Sequence, residues 1–98
     1  MGVNNMEEVL MTKEEVNTAV INLFDMYKVD YRHNYELIIG EDFVCDFYLP
    51  EYQIVILTNA DNETIERYRK WTYPLNISGC PSEVMKKLFF LAGLFFEE

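Results

Sequence analysis

The residue types that perform zinc, disulfide or nucleophilic chemistry are scarce in this chain, and their spacing favours none of these chemistries. His33 is the only histidine, so a zinc site or a histidine-activated nucleophile lacks a second member. We interpret His33 as a loop residue. Two cysteines are too few for a disulfide framework. The four glycines are scattered and do not form a phosphate-binding loop.

The two thiols differ in their expected surroundings. Cys45 stands next to Asp46 in a strand-like segment, so their side chains point to opposite faces. If Asp46 faces a site, Cys45 belongs to the core. Cys80 precedes Pro81 at a helix start, where backbone amides can lower a thiol pKa. We favour unreactive thiols, because no histidine or second cysteine is placed to assist either one.

Acidic residues dominate the charge of the chain. Seventeen Asp and Glu against eight Lys and Arg give a net charge of −9. This balance opposes binding to a phosphate backbone and makes nucleic acid an unfavoured partner, although a local basic patch is compatible with it. It suits a protein partner with a basic surface, including one that uses a basic groove for nucleic acid. The alternative that we favour is that the charge serves solubility alone.

Basic and aromatic side chains come together in one short segment. Arg67, Arg69 and Lys70 are followed by Trp71 and Tyr73, a mixture that suits nucleic-acid contact. Acidic residues lie on the same short helix, however. Pairing between residues four apart, Glu63 with Arg67 and Glu66 with Lys70, explains these charges and is the interpretation that we favour.

Hydrophobic spacing and turn residues predict three helices and four strands. Thr12 and Glu15 form a capping-box pattern, and apolar residues then recur at spacings of four, three and four, which predicts a helix from about residue 13 to 27. Strands are predicted at residues 35–39, 43–49 and 52–58, the last buried on both faces, with turns at 40–42 and 50–51. A short helix at 62–70, an edge or bulged strand at 71–77 that contains Pro74, and a helix at 81–96 complete the chain.

These elements define an α/β (α+β) class of fold with the order αβββαβα. We expect a mixed four-stranded sheet that contains an antiparallel meander and is flanked by helices. The 98 residues are enough for one domain, with residues 1–11 as a loose lead-in. The sequence shows no signal peptide, and its longest apolar run, 88–96, is interrupted by Gly93 and too short to span a bilayer. We therefore expect a cytoplasmic protein with reduced thiols.

A sequence motif in the predicted second and third strands gives a more specific indication of the fold. The segment VCDFYLPEYQIVI, residues 44–56, resembles the "VDF-x-x-PE-x-x-x-x-I" stretch of small Vsr-like (very-short-patch-repair) endonuclease domains of the PD-(D/E)XK nuclease superfamily. The element order and the closing segment PSEVMKKL, residues 81–88, are similar as well. The resemblance implies that Asp46 binds Mg²⁺ or Mn²⁺, with a second acidic ligand on the next strand and a polar residue two positions later.

The chain departs from that pattern where the resemblance implies the second ligand. Counting without gaps places Leu57 at the position of the acid and Asn59 at the position of the third residue. Leucine cannot bind a metal, and asparagine cannot act as a base. Other acids lie nearby, but no spacing singles one out, and we interpret them as solvated surface charges: Glu14, Glu15, Glu36, Glu41 and Asp42.

Three functional hypotheses follow. The first is a non-catalytic binding protein on a degenerate nuclease-like fold, which binds or inhibits another protein such as a nucleic-acid-processing enzyme. Its contacts would be an acidic face that includes Glu41 and Asp42, or the apolar last helix with Phe95 and Phe96. The second is a metal-dependent nuclease with a rearranged site that uses Asp46 and a further acid that the sequence does not identify, with Asn59 as a candidate site residue. The third, compatible with both, is a homodimer formed through the phenylalanines of the last helix.

Overall fold

The computed structural model describes residues 9–38 and 43–96, which form three helices and four strands. The elements are α1 (Lys13–Tyr27), β1 (Arg32–Ile38), β2 (Phe43–Leu49), β3 (Ile54–Thr58), α2 (Asn62–Arg69), β4 (Pro74–Ile77) and α3 (Pro81–Phe96). This order confirms the predicted α+β class. The first eight residues and the predicted turn at 40–42 lie outside the described part of the chain.

Local capping explains where the first two helices begin. The Thr12 hydroxyl accepts a hydrogen bond from the Glu15 amide, and the Glu15 carboxylate accepts one from the Thr12 amide, which confirms the capping box of α1. Asp61 caps α2 by accepting from the Thr64 amide at 2.8 Å. This hydrogen bond lowers the pKa of Asp61, because it favours the ionised carboxylate.

Three strands begin at positions that differ from the predicted ones. β1 begins at Arg32, so His33 is a strand residue and its interpretation as a loop residue is wrong. β3 begins only at Ile54, because the turn after β2 extends to Gln53, which has a φ of +56°. β4 begins at Pro74, because the amides of Trp71 and Thr72 bind the Tyr68 carbonyl and close the end of α2.

The four strands form one mixed sheet in the order β1-β2-β3-β4. β1 with β2 and β2 with β3 are antiparallel, which confirms the meander, whereas β3 and β4 are parallel. The parallel pair needs a crossover, and α2 supplies it. Pro74 is the first residue of an edge strand, as predicted, where its missing amide leaves no gap inside the sheet.

Two clusters of buried side chains cover the faces of the sheet. The larger cluster packs α1 and α3 against Phe47, Leu49, Ile56 and Ile77. The smaller cluster packs Tyr68 of α2 against Cys45, Val55 and Leu57. Because Ile56 belongs to one cluster and its neighbours to the other, β3 is buried on both faces, as its continuous apolar run predicts.

The segment before α1 is held against the sheet at Met11. Its amide donates to the Gly79 carbonyl at 3.0 Å, and its side chain packs against the larger cluster. The described part of the lead-in is therefore fixed next to the ends of β3 and β4. None of the helices in the described ranges is long and apolar enough to cross a membrane.

Candidate functional site

Asp46 lies on β2 with both carboxylate oxygens engaged by groups of the same chain. Oδ1 lies 2.8 Å from Nζ of Lys13, the first residue of α1. Oδ2 accepts a hydrogen bond of 2.8 Å from the backbone amide of Thr58 at the end of β3. The Asp46 side chain is 16% exposed, so these two contacts satisfy a mostly buried charge.

Lys13 supplies a positive charge directly next to Asp46. Its ammonium group also donates to the Thr58 carbonyl at 2.8 Å and to the Thr58 hydroxyl at 2.9 Å. A lysine has three N–H donors, so all three are used. The local positive charge therefore comes from the protein, and it joins the start of α1 to β2 and β3.

The residues around Asp46 do not fit Mg²⁺ or Mn²⁺. Both ions require several oxygen ligands, and the described residues contain no group of three or more His, Cys, Asp or Glu that could hold a metal. Leu57, at the position of the expected acid, is buried in the smaller cluster. Of the acids on α1, Glu15 is used by the helix cap.

Asn59 follows Thr58 but directs its side chain to the segment before α1. Its Nδ2 donates to the Met11 carbonyl at 3.1 Å, and its own amide donates to the Ile77 carbonyl at 3.1 Å. Its φ of +55° is a conformation that asparagine tolerates better than most residues. Asn59 thus follows the residue that binds Asp46, but it serves as a link between β3, β4 and the lead-in.

Asn76 of β4 is a hydrogen-bonded polar residue that was not predicted from the sequence. Its side chain exchanges hydrogen bonds with Ala60, accepting from the amide at 3.0 Å and donating to the carbonyl at 3.3 Å. Lys87 of α3 donates to the Asn76 carbonyl at 2.8 Å. An asparagine in a short strand is unusual, and that low strand propensity is the signal that marks it. The carboxyl ends of β3 and β4 are therefore tied to both α1 and α3.

The two cysteines and the histidine lie in surroundings that indicate structural roles. Cys45 is fully buried, and burial raises the pKa of its thiol to about 11, so it stays protonated near neutral pH. The Cys80 sulfur lies 3.3 Å from the Ser82 hydroxyl at the start of α3. The His33 ring stacks on Phe47 with 4.6 Å between ring centroids.

The basic and aromatic segment is arranged differently from the predicted pairing. Glu66 pairs with Arg69 at 2.6 Å, not with Lys70. Arg67 is not paired with Glu63; its guanidinium lies over the Phe43 ring, 5.0 Å from the centroid. The i to i+4 pairs are therefore wrong in detail, because the short α2 turns Arg67 towards β2.

Only part of the predicted partner-binding set lies on the described surface. Glu41 and Asp42 fall outside the described residues. Phe95 is 9% exposed and packs its ring against Phe24, Tyr27 and Tyr52. Phe96 is 70% exposed. The residue available for contacts at this end of α3 is thus Phe96.

The outer side of α1 and α3 carries a continuous apolar surface. We call it the α1–α3 face and define it by Met26, Met85, Phe89 and Phe96, which are between 49% and 71% exposed. Phe96 joins this face through its contact with Tyr27, which lines the space between the two helices. A groove of about 360 Å³ separates the two helices within this face. The groove contains Met26, Met85 and Phe89, and no charged residue lines it.

Comparison of the chain with family models, with curated proteins and with solved structures finds no match in any of the three. The proposed function therefore rests on the contacts of Asp46 and on the α1–α3 face.

Proposed function

We propose that this chain is a non-catalytic protein-binding domain on a degenerate nuclease-like fold, and that it binds protein through the α1–α3 face. The α1–α3 face is the observation that carries this proposal. Exposed aromatic and methionine side chains gathered around an uncharged groove have the composition of the core of a protein–protein interface. Scattered exposed apolar residues are ordinary, but a continuous patch of this kind marks a contact site.

The nuclease-like origin is supported by the element order and by the position of Asp46. The order αβββαβα agrees with the order that the resemblance implies, and Asp46 lies on the second strand, next to the third. The loss of catalysis is supported by Lys13, whose ammonium group is bound to Asp46. An ammonium group 2.8 Å from Oδ1 repels a metal cation, so metal binding at Asp46 would require Lys13 to move away.

The external target that we propose is a protein with a basic surface, such as a nucleic-acid-processing enzyme. The net charge of −9 favours encounter with a basic groove and disfavours direct binding to nucleic acid. Contacts of this acidic exterior weaken at high salt, whereas contacts of the α1–α3 face do not. Comparing complexes at low and high salt therefore distinguishes contacts of the acidic exterior from contacts of the α1–α3 face.

The test is the apparent mass of the tagged chain in lysate of the cell that naturally makes it, followed by mass spectrometry of the complex. We expect, at high salt, a complex larger than the monomer, which Phe89→Ser reduces to the monomer. Trp71→Ser is the matched control, because Trp71 is 66% exposed but lies outside the α1–α3 face. A complex that survives Phe89→Ser at high salt, or a wild-type chain that runs as a monomer at high salt, contradicts the proposal.

Catalysis is tested separately on the purified chain. We expect no cleavage of DNA or RNA with Mg²⁺ or Mn²⁺, and no rise in melting temperature when either ion is added. Cleavage that Asp46→Asn abolishes while the fold is retained would instead support the rearranged nuclease.

A further inference from the structure

We infer that the protein bound by the α1–α3 face is a second copy of this chain, in a twofold-symmetric dimer. The inference rests on the proposed function, because it names the partner of the same face. Its first support is that the face contains both members of a complementary pair. The exposed Phe89 ring forms one wall of the groove, so each copy offers a projecting ring and an apolar groove to receive one. A twofold interface requires such self-complementarity within one patch.

The second support is the area of the face. A fully exposed phenylalanine presents about 200 Å², so the exposed fractions of Phe89 and Phe96 correspond to about 280 Å². Met26 and Met85 raise the apolar area to roughly 500 Å² on each chain. Two copies would then bury about 1,000 Å², which is about the smallest area expected of a specific interface.

Charge distribution determines how the dimer should respond to salt. The groove lining carries no charge, so the centre of the interface has no ion pair to be weakened by salt. Two chains of net charge −9 repel each other, and salt screens that repulsion. Association should therefore strengthen as salt rises. A complex between an acidic chain and a basic target changes in the opposite direction.

The experiment is sedimentation velocity of the purified chain over a range of concentrations at low and high salt. We expect a monomer–dimer equilibrium whose dissociation constant falls with salt. Phe89→Ser and Met26→Ser should each raise that constant about tenfold or more, since both side chains line the groove. Trp71→Ser should leave it unchanged. Met26 is 70% exposed, so Met26→Ser should fold normally, which circular dichroism verifies.

The possible outcomes separate this inference from the proposed function. A monomer at all concentrations overturns the dimer. If the chain nevertheless forms a complex in lysate that depends on Phe89, the face binds a different protein and the proposed function stands. If neither preparation forms a complex, both proposals fail. A dimer that is unaffected by Phe89→Ser and Met26→Ser places self-association on another surface and also overturns the inference.

Discussion

At the scale of single residues, Asp46 is a mostly buried carboxylate that is held by contacts within the chain. Lys13 and the Thr58 amide compensate its charge from two different elements. A half-exposed ion pair alone contributes little to stability, and Lys13 is 53% exposed. The hydrogen bond to Thr58 matters more, because Thr58 is buried and its amide would lose its acceptor.

Replacing Asp46 with alanine should therefore reduce the free energy of unfolding by about 1–3 kcal/mol. Asp46→Asn keeps an oxygen that can accept from Thr58 and should lose less. Urea denaturation of the two variants measures the difference. Equal losses in both would show that the charge of Asp46, and not its hydrogen bond, stabilises the fold. Neither variant should weaken binding through the α1–α3 face.

Cys45 should make the free energy of unfolding decrease at alkaline pH. Burial raises its pKa from 9.0 to about 11, so the unfolded chain releases the thiol proton first as pH rises. The stabilising contribution is complete below pH 9 and is lost as pH approaches 11, a change of roughly 2–3 kcal/mol. Urea denaturation at pH values across this interval should show the decline. In Cys45→Ala the decline should be smaller, and an unchanged slope would contradict the assignment to Cys45.

At the scale of secondary-structure elements, the capping box ties the start of α1 to the position of Lys13. Because Lys13 directly follows the N-cap residue Thr12, unravelling of the first turn would also move its ammonium group away from Asp46. The cap thus connects a local sequence pattern to the contact between α1, β2 and β3.

Thr12→Ala should destabilise the chain by about 1 kcal/mol, because the Glu15 amide loses its acceptor. Thr18→Ala is a matched control, since Thr18 is an exposed residue in the middle of the same helix. That change should be neutral or slightly stabilising, because alanine is the better helix former. Thermal denaturation of both variants provides the comparison, and equal effects would argue against the cap.

At the scale of the whole molecule, the two last phenylalanines of α3 have opposite roles. Phe95 joins α3 to α1 and to the turn after β2 through its ring contacts with Phe24, Tyr27 and Tyr52. Phe96 touches Tyr27 at its edge and is otherwise exposed on the α1–α3 face. One residue therefore holds the fold together, and its neighbour is available for contacts between chains.

Phe95→Ala should lower the free energy of unfolding by about 3–5 kcal/mol, since it empties a buried site. Phe96→Ala should cost about 0.5 kcal/mol or less and should instead weaken association. Chemical denaturation of monomeric protein measures the loss of stability in each variant without a contribution from association. Similar losses of stability would show that Phe96 also belongs to the core.

The sequence by itself determined the helices, the strands and their order. The periods of α1 and α3, the capping box and the β-branched run of β3 are local properties, so they can be read from neighbouring residues. The predicted starts of β3 and β4 were wrong by two or three residues, because the turns at Gln53 and after Tyr68 depend on backbone conformation. The buried position of Cys45 also followed from local alternation, given an outward Asp46.

Only the tertiary structure decided what Asp46 contacts and which phenylalanines are exposed. Lys13 and Thr58 are far from Asp46 in the sequence, and no local period predicts that they meet. Phe95 and Phe96 are adjacent residues of the same type, so only the packing of α3 on α1 separates them. Cys45 and Phe47 likewise enter different clusters, although strict alternation puts them on one face. These outcomes depend on how elements pack, because burial and charge pairing are set by contacts between distant segments.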